Sequence, residues 1–332
     1  MGRVIEYMKL SRFHSTPLEA VIGFSAALLA SGSLGPALWG AVYGALYHIW
    51  GYSENSVVDY VKGYDKNDPN KKEHPLRKGT IYPSAGKKFY VTAAAILFLL
   101  VFSKAAQMGL KTEEGAVILS LFAIQFLTAT VYNSHSKKIE NSWLPISIAH
   151  SLVFTIPFIA FGGSGVLLYA GSAYVFFWTF FQIAVSGEFK DINNVEEANF
   201  LRETDVHWWS GETAEVSDQA MWFSLLVIFP GVAISSTWFF FQANATDGLA
   251  FTLFLLINFT TLSVLYAIID GEPREKVMKF TVLREASCAY GIYVVSLSVL
   301  SNWIVVPLLI APLFWVLLSN KVMWGDYIVP DV

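Results

Sequence analysis

Residues 89–109 read FYVTAAAILFLLVFSKAAQMG, an unbroken apolar stretch whose one charge is Lys104. A bilayer-spanning helix needs about 20 mostly apolar residues, and this run has that length with no proline to interrupt it. The pattern recurs at 17–33, 35–54, 115–133, 143–161, 164–187, 219–241, 247–269 and 287–320. The last run is too long for one ordinary span and contains Pro307 and Pro312. It reads as a kinked long helix, or as a span plus a short tenth segment. The spacing predicts an all-α membrane protein of about nine transmembrane helices bundled around one central cavity.

Composition agrees. The chain is 55% hydrophobic and 14% charged, with a mean hydropathy of +0.49, whereas soluble domains carry about 25% charged residues. A formal net charge of −4 hides local asymmetry. Nothing points to a nucleic-acid partner or an obligate protein partner; the expected surroundings are the lipid bilayer. The single cysteine, Cys288, excludes an intrachain disulfide framework and a cysteine-rich metal site. The first fifteen residues are polar and basic and no small-residue cleavage site follows, so no cleaved signal peptide is expected. No GxxxG spacing stands out as a dimerisation signature, and 1–332 reads as a single polytopic domain.

Lysines and arginines orient such a bundle, because they collect in cytoplasmic loops. Arg3, Lys9 and Arg12 precede the first run, and eight basic residues lie between Lys62 and Lys88. Alternate connections then carry Lys137 and Lys138, Lys190 and Arg202, and finally Arg274, Lys276, Lys279 and Arg284. The amino terminus and the polar cap loops, about 55–88 and 188–218, are therefore expected on the cytoplasmic side, with the cavity open there. Lys321 carries no weight until the number of spans is settled.

Those caps hold two acidic clusters, Asn55-Ser56-Val57-Val58-Asp59 with Asp65, and Lys190-Asp191-Ile192-Asn193-Asn194-Val195-Glu196-Glu197. They follow the second and sixth runs, as a weak internal duplication of four helices would place them. On a helix Asn55 and Asp59 share a face, and Asp191, Asn194 and Glu197 fall within one arc. Carboxylate and amide oxygens are hard ligands suited to Mg²⁺, which binds through one or two carboxylates plus substrate phosphates. The candidate metal ligands are thus Asn55, Asp59, Asp65, Asp191, Asn194 and Glu197. Neighbouring cations, among them Arg77, Lys78, Lys137 and Lys190, fit a site that neutralises a leaving diphosphate. Of six histidines none forms an HxxxH or HExxH pair. Glu19 reads as a snorkelling or cavity-rim residue.

These features resemble the UbiA superfamily of intramembrane aromatic prenyltransferases, whose nine helices carry Asp-rich motifs, NDxxDxxxD and DxxxD, after the second and sixth spans. Asn55 and Asp59 match the first motif, and Asp68-Pro69 with His74-Pro75-Leu76-Arg77-Lys78-Gly79 echoes its downstream tail. Tyr132 and Lys137 resemble the family's Tyr and Lys after the fourth span, and Arg12 its arginine before the first. Ser56 stands where the family has Asp, Gly63 where it has the last Asp, and Asn194 and Ala198 replace two aspartates of the second motif.

The resemblance implies Mg²⁺-dependent transfer of a prenyl group from an isoprenyl diphosphate to a lipophilic aromatic or lipid acceptor. Asp59, Asp191, Lys137 and Tyr132 are its expected catalytic residues; Arg12, Asn55, Arg77, Lys78, Lys137 and Lys190 would bind diphosphate. Tyr174, Phe176, Phe177, Trp178, Phe180 and Phe181 offer faces that stabilise a cation. The altered motifs leave two alternatives: a terpene cyclase acting on the diphosphate alone, and a catalytically inactive lipid-binding homologue.

Overall fold

The structure is a computed structural model. It describes residues 2–66, 73–110, 112–136, 138, 142–187, 207–209, 213–215, 218–243, 245–272, 274–300 and 304–326. The helices are α1 (Gly2–Leu10), α2 (Pro17–Ser31), α3 (Leu34–Lys62), α4 (Pro75–Lys78), α5 (Pro83–Met108), α6 (Glu113–His135), α7 (Trp143–Ala160) and α8 (Val166–Phe181). After β1 (His207–Trp209) and β2 (Thr213–Glu215) come α9 (Asp218–Phe223), α10 (Phe229–Gln242), α11 (Asp247–Ile269), α12 (Arg274–Leu297) and α13 (Val305–Trp324). The strands form one antiparallel pair, with His207 opposite Glu215. The fold is all-helical apart from that short ribbon.

Local chemistry explains the boundaries. Pro17, Pro75 and Pro83 open their helices, where a missing N–H costs nothing. The Thr112 hydroxyl accepts from the Gly115 N–H at the start of α6. Single turns of π-helix follow α8 (Gln182–Gly187) and precede α10 (Ser224–Ile228), a form concentrated at functional sites.

Eight helical segments among the described residues are long and apolar enough to cross a membrane. Two more long helices, α3 with 29 residues and α12 with 24, are more polar. Packing runs α2–α3–α5–α6–α7–α8–α10–α11–α12 and closes from α12 back to α2, with α2 also touching α7. Helix α13 lies outside this ring, against α1, the 3₁₀ turn Phe13–Ser15 and α2. Two expectations change here. The run 287–320 belongs to two helices, α12, which ends at Leu297, and α13, which begins at Val305. The cap expected from residue 55 begins only after Lys62, because α3 continues through the first cluster.

Glycines set the closest approach in the ring. A Cβ on Gly44 would sit 2.0 Å from the Glu19 carbonyl oxygen, and one on Gly40 2.1 Å from that of Gly23. Gly40 and Gly44 form a GxxxG spacing that the sequence reading passed over. It works inside the chain, bringing α2 and α3 backbone to backbone.

Candidate functional site

His48, Tyr52, Asn55 and Asp59 stand four, three and four residues apart on α3, so they form one stripe along its face. Tyr52 lies within electrostatic reach of Glu19 on α2, Tyr132 on α6 and Glu285 on α12, so the stripe faces the interior of the ring. Asp59 is buried and Asn55 half-buried. Asp59 borders a cleft shared with Lys62, Tyr64, Asn133, Ser134, His135, Ser136 and Lys138. Asp65, on the 3₁₀ turn Tyr64–Lys66, is 3% exposed. Hydrogen bonds between α6 and α3 hold the two helices together. The Asn133 amide donates to the Gly51 carbonyl at 3.1 Å and to the Glu54 carboxylate at 2.9 Å, and the Lys62 ammonium donates to the Ser134 carbonyl.

Ser56, where the family motif has an aspartate, turns away from this stripe and donates to the Leu10 carbonyl at 3.3 Å. That residue belongs to a small apolar cluster of Leu10, Val57, Leu76 and Ile81, which seats α4 against α1 and α3. Arg77 is then half-buried, whereas Lys78 is exposed and paired with Glu73; the ammonium holds that carboxyl below the ordinary carboxylate range. Gly79 takes φ +71° to let the chain turn back. Arg12 places its guanidinium over the Tyr52 ring, 5.3 Å from the centroid. Tyr132 is half-buried.

Deeper in the ring the structure adds groups that the sequence reading left out. Glu19 is 3% exposed, so it does not snorkel. One carboxylate oxygen is 2.7 Å from His48 Nδ1 and the other 3.3 Å from His150 Nε2. The Tyr47 hydroxyl is 3.3 Å from His150 Nδ1. These histidines pair through Glu19 across three helices, which no linear motif records. Arg284, counted with loop charges in the sequence, is fully buried. It donates to Glu285 at 2.6 Å and to the Thr261 hydroxyl at 3.2 Å, and lies 4.0 Å from the Phe181 ring centroid. Trp178 donates to the same carboxylate at 2.6 Å. A charged pair inside a run of apolar residues was the available signal.

The aromatics of α8 split. Tyr174, Trp178, Phe180 and Phe181 are buried; Phe176 and Phe177 are half-buried. Tyr174 stacks on Phe239 and donates to the Cys288 carbonyl at 2.9 Å.

Asp191, Asn194, Glu197, Lys190 and Lys137 lie outside the described residues. Among the described residues no group of three or more His, Cys, Asp or Glu side chains could hold a metal ion. The donor chemistry of Asp59 and Asn55, a buried carboxylate and an amide oxygen one turn apart, fits part of a Mg²⁺ shell, which normally keeps water and phosphate oxygens as well.

Comparison with known proteins gives one family and one fold. The model of the UbiA prenyltransferase family matches residues 19–281. No curated protein matches the chain in sequence. An apo UbiA homologue from Aeropyrum pernix K1 superposes with a TM-score of 0.62 at 16% identity, over 84% of this chain and 97% of that one. A UbiA homologue from Archaeoglobus fulgidus, bound to GPP and Mg²⁺, gives 0.60 at 17% identity over 88% and 99%. A digeranylgeranylglyceryl phosphate synthase structure gives 0.60 at 16% identity over the same shares.

Proposed function

The chain belongs to the UbiA prenyltransferase family and is a multi-pass integral membrane protein; from that premise we propose that it transfers a prenyl group from an isoprenyl diphosphate to a lipophilic acceptor within the bilayer. One observation carries the reading: Asn55 and the buried Asp59 stand one turn apart on the inward stripe of a helix in a predominantly apolar bundle. A similar structure holding GPP and Mg²⁺ supports the same donor class.

In this reading Asn55, Asp59 and Asp65 would hold Mg²⁺ together with Asp191, Asn194 and Glu197 of the second cluster, and the bound cation would supply positive charge against the diphosphate. Arg12, Arg77, Lys78, Lys137 and Lys190 add positive charge where negative charge grows as the allylic C–O bond breaks. The electron pair of that bond leaves on the diphosphate, and the allylic carbon is left electron-poor. Tyr132 lines the reacting end. The apolar ring excludes water, which would otherwise trap the cation, and aromatic faces on α8 stabilise it by roughly 0.5–2 kcal/mol each. An aromatic or lipid acceptor then supplies the new bond and loses a proton. The basic ends of α1, α3 and α12 face the cytoplasm. Helix α13 returns to the side of α1, where Lys9 lies 4.4 Å from the Trp324 ring centroid, so Lys321 falls on that side too.

One observation favours the cyclase reading. Ser56 spends its hydroxyl on Leu10, leaving fewer oxygens on the first motif. Diphosphate release by purified protein separates the readings, using geranyl, farnesyl or geranylgeranyl diphosphate with and without Mg²⁺. Mg²⁺-dependent release only when an aromatic or lipid acceptor is added is the expected result. Release with no acceptor would establish the cyclase, and no release or Mg²⁺-dependent binding under any condition would leave the inactive homologue.

A further inference from the structure

Arg12 is the one non-glycine residue among those described with positive φ, at φ 48° and ψ 48°. An L side chain in that left-handed region costs free energy, and such strain persists only where surrounding contacts enforce it. Contacts reach this turn from two sides. From inside, His48 Nε2 donates to the Arg12 carbonyl at 3.1 Å. Glu19 fixes the ring through Nδ1 at 2.7 Å, with His48 1% exposed. Ser15 adds a second donor to the same carbonyl at 2.8 Å. From outside, the Trp315 indole on α13 donates to the Phe13 carbonyl at 3.1 Å and packs on the Phe13 ring, centroids 4.9 Å apart.

The clamp lies at one end of a continuous path. The His48 and Tyr52 rings are 4.2 Å apart, the Arg12 guanidinium covers Tyr52, and Asn55 and Asp59 follow along the same face of α3. Both the turn and α13 fall outside residues 19–281, so the outer jaw is built from sequence beyond the part that matches the family.

We propose that Glu19 with His48 on the inside, and Trp315 on the outside, clamp the Arg12 turn so that its guanidinium is held ready for the donor diphosphate beside Asn55 and Asp59. Glu19, His48 and Trp315 are positioning residues that act through Arg12. The inference rests on the donor reading above.

The test is a cycle of binding measurements on the full chain in detergent, with inorganic diphosphate and Mg²⁺ as the probe. His48→Leu should weaken binding by about tenfold or more, a difference of about 1.4 kcal/mol, and should approach the loss in Arg12→Ala. Trp315→Phe, which keeps an aromatic ring and loses the N–H, should weaken it less. The pair His48→Leu with Arg12→Ala should bind no worse than Arg12→Ala alone. Trypsin supplies a readout without ligand: cleavage after Arg12 should accelerate in His48→Leu and Glu19→Ala. Additive losses, or cleavage rates equal to wild type, would overturn the clamp. If His48→Leu fails to fold, the same cycle is run with Trp315→Phe. Wild-type protein that binds no diphosphate would instead overturn the donor reading, and Arg12's role with it.

Discussion

Helices α3 and α5 are neighbours in the ring and nearly equal in length, 29 and 26 residues, yet their side chains meet different surroundings. Val91, Ile96, Phe98, Leu99 and Phe102 of α5 are exposed, whereas α3 buries Tyr43, Tyr47, His48, Trp50, Glu54 and Asp59. Helix α5 is apolar enough to cross a membrane by composition alone, and α3 is not among those that are. The difference follows from the solvent. Lipid accepts no unpaired polar group, so a lipid-facing helix must be apolar along its outer surface. A helix surrounded by protein can carry charge if a neighbour pairs with it. Helix α12 repeats the behaviour of α3 with Arg284 and Glu285. The two long helices that look weakest by hydropathy, α3 and α12, are therefore ones that bring buried charge into the interior.

The strongest way to break this comparison is Arg284→Leu, which leaves Glu285 without its buried cation. A cost of about 3–5 kcal/mol is expected, read as a large fall in thermal midpoint in detergent. An unchanged midpoint would mean the pair is not needed inside the ring. Next, Asp59→Asn should reduce turnover by about a hundredfold, roughly 2.7 kcal/mol of transition-state stabilisation, while the protein elutes as wild type on size exclusion. Normal turnover would remove Asp59 from the metal assignment.

A pair of substitutions on α3 tests packing. Gly44→Ala places a methyl group 2.0 Å from the Glu19 carbonyl oxygen and should destabilise by about 1–3 kcal/mol. Gly51→Ala on the same helix meets nothing within 4 Å and should be neutral or stabilising by up to about 1 kcal/mol. Equal effects would count against the close α2–α3 contact. The smallest effect belongs to the outer surface. Leu313→Ala on α13, 52% exposed, should change stability by about 0.5 kcal/mol or less, measured by thermal shift; a larger loss would place a partner on that surface.

The apolar runs determined the helical class by themselves, because an unbroken apolar run of about 20 residues satisfies its own backbone hydrogen bonds in lipid only as a helix, a closed barrel being built from shorter strands of alternating polarity. Spacing along one helix likewise made Asn55 and Asp59 legible as a pair, since i and i+4 meet whatever the rest of the chain does. The sequence also marked Arg12, though only through a resemblance. Tertiary structure decided what residues distant in the chain could share. Glu19 meets His48 and His150 on two other helices, Trp315 reaches Phe13 from the far end of the chain, and Arg284 leaves its expected loop for the core. Each of these depends on which helix faces happen to meet. Gly40 and Gly44 illustrate the physical reason: whether a glycine pair brings helices together depends on the opposing backbone, and periodicity within one helix carries no information about its partner.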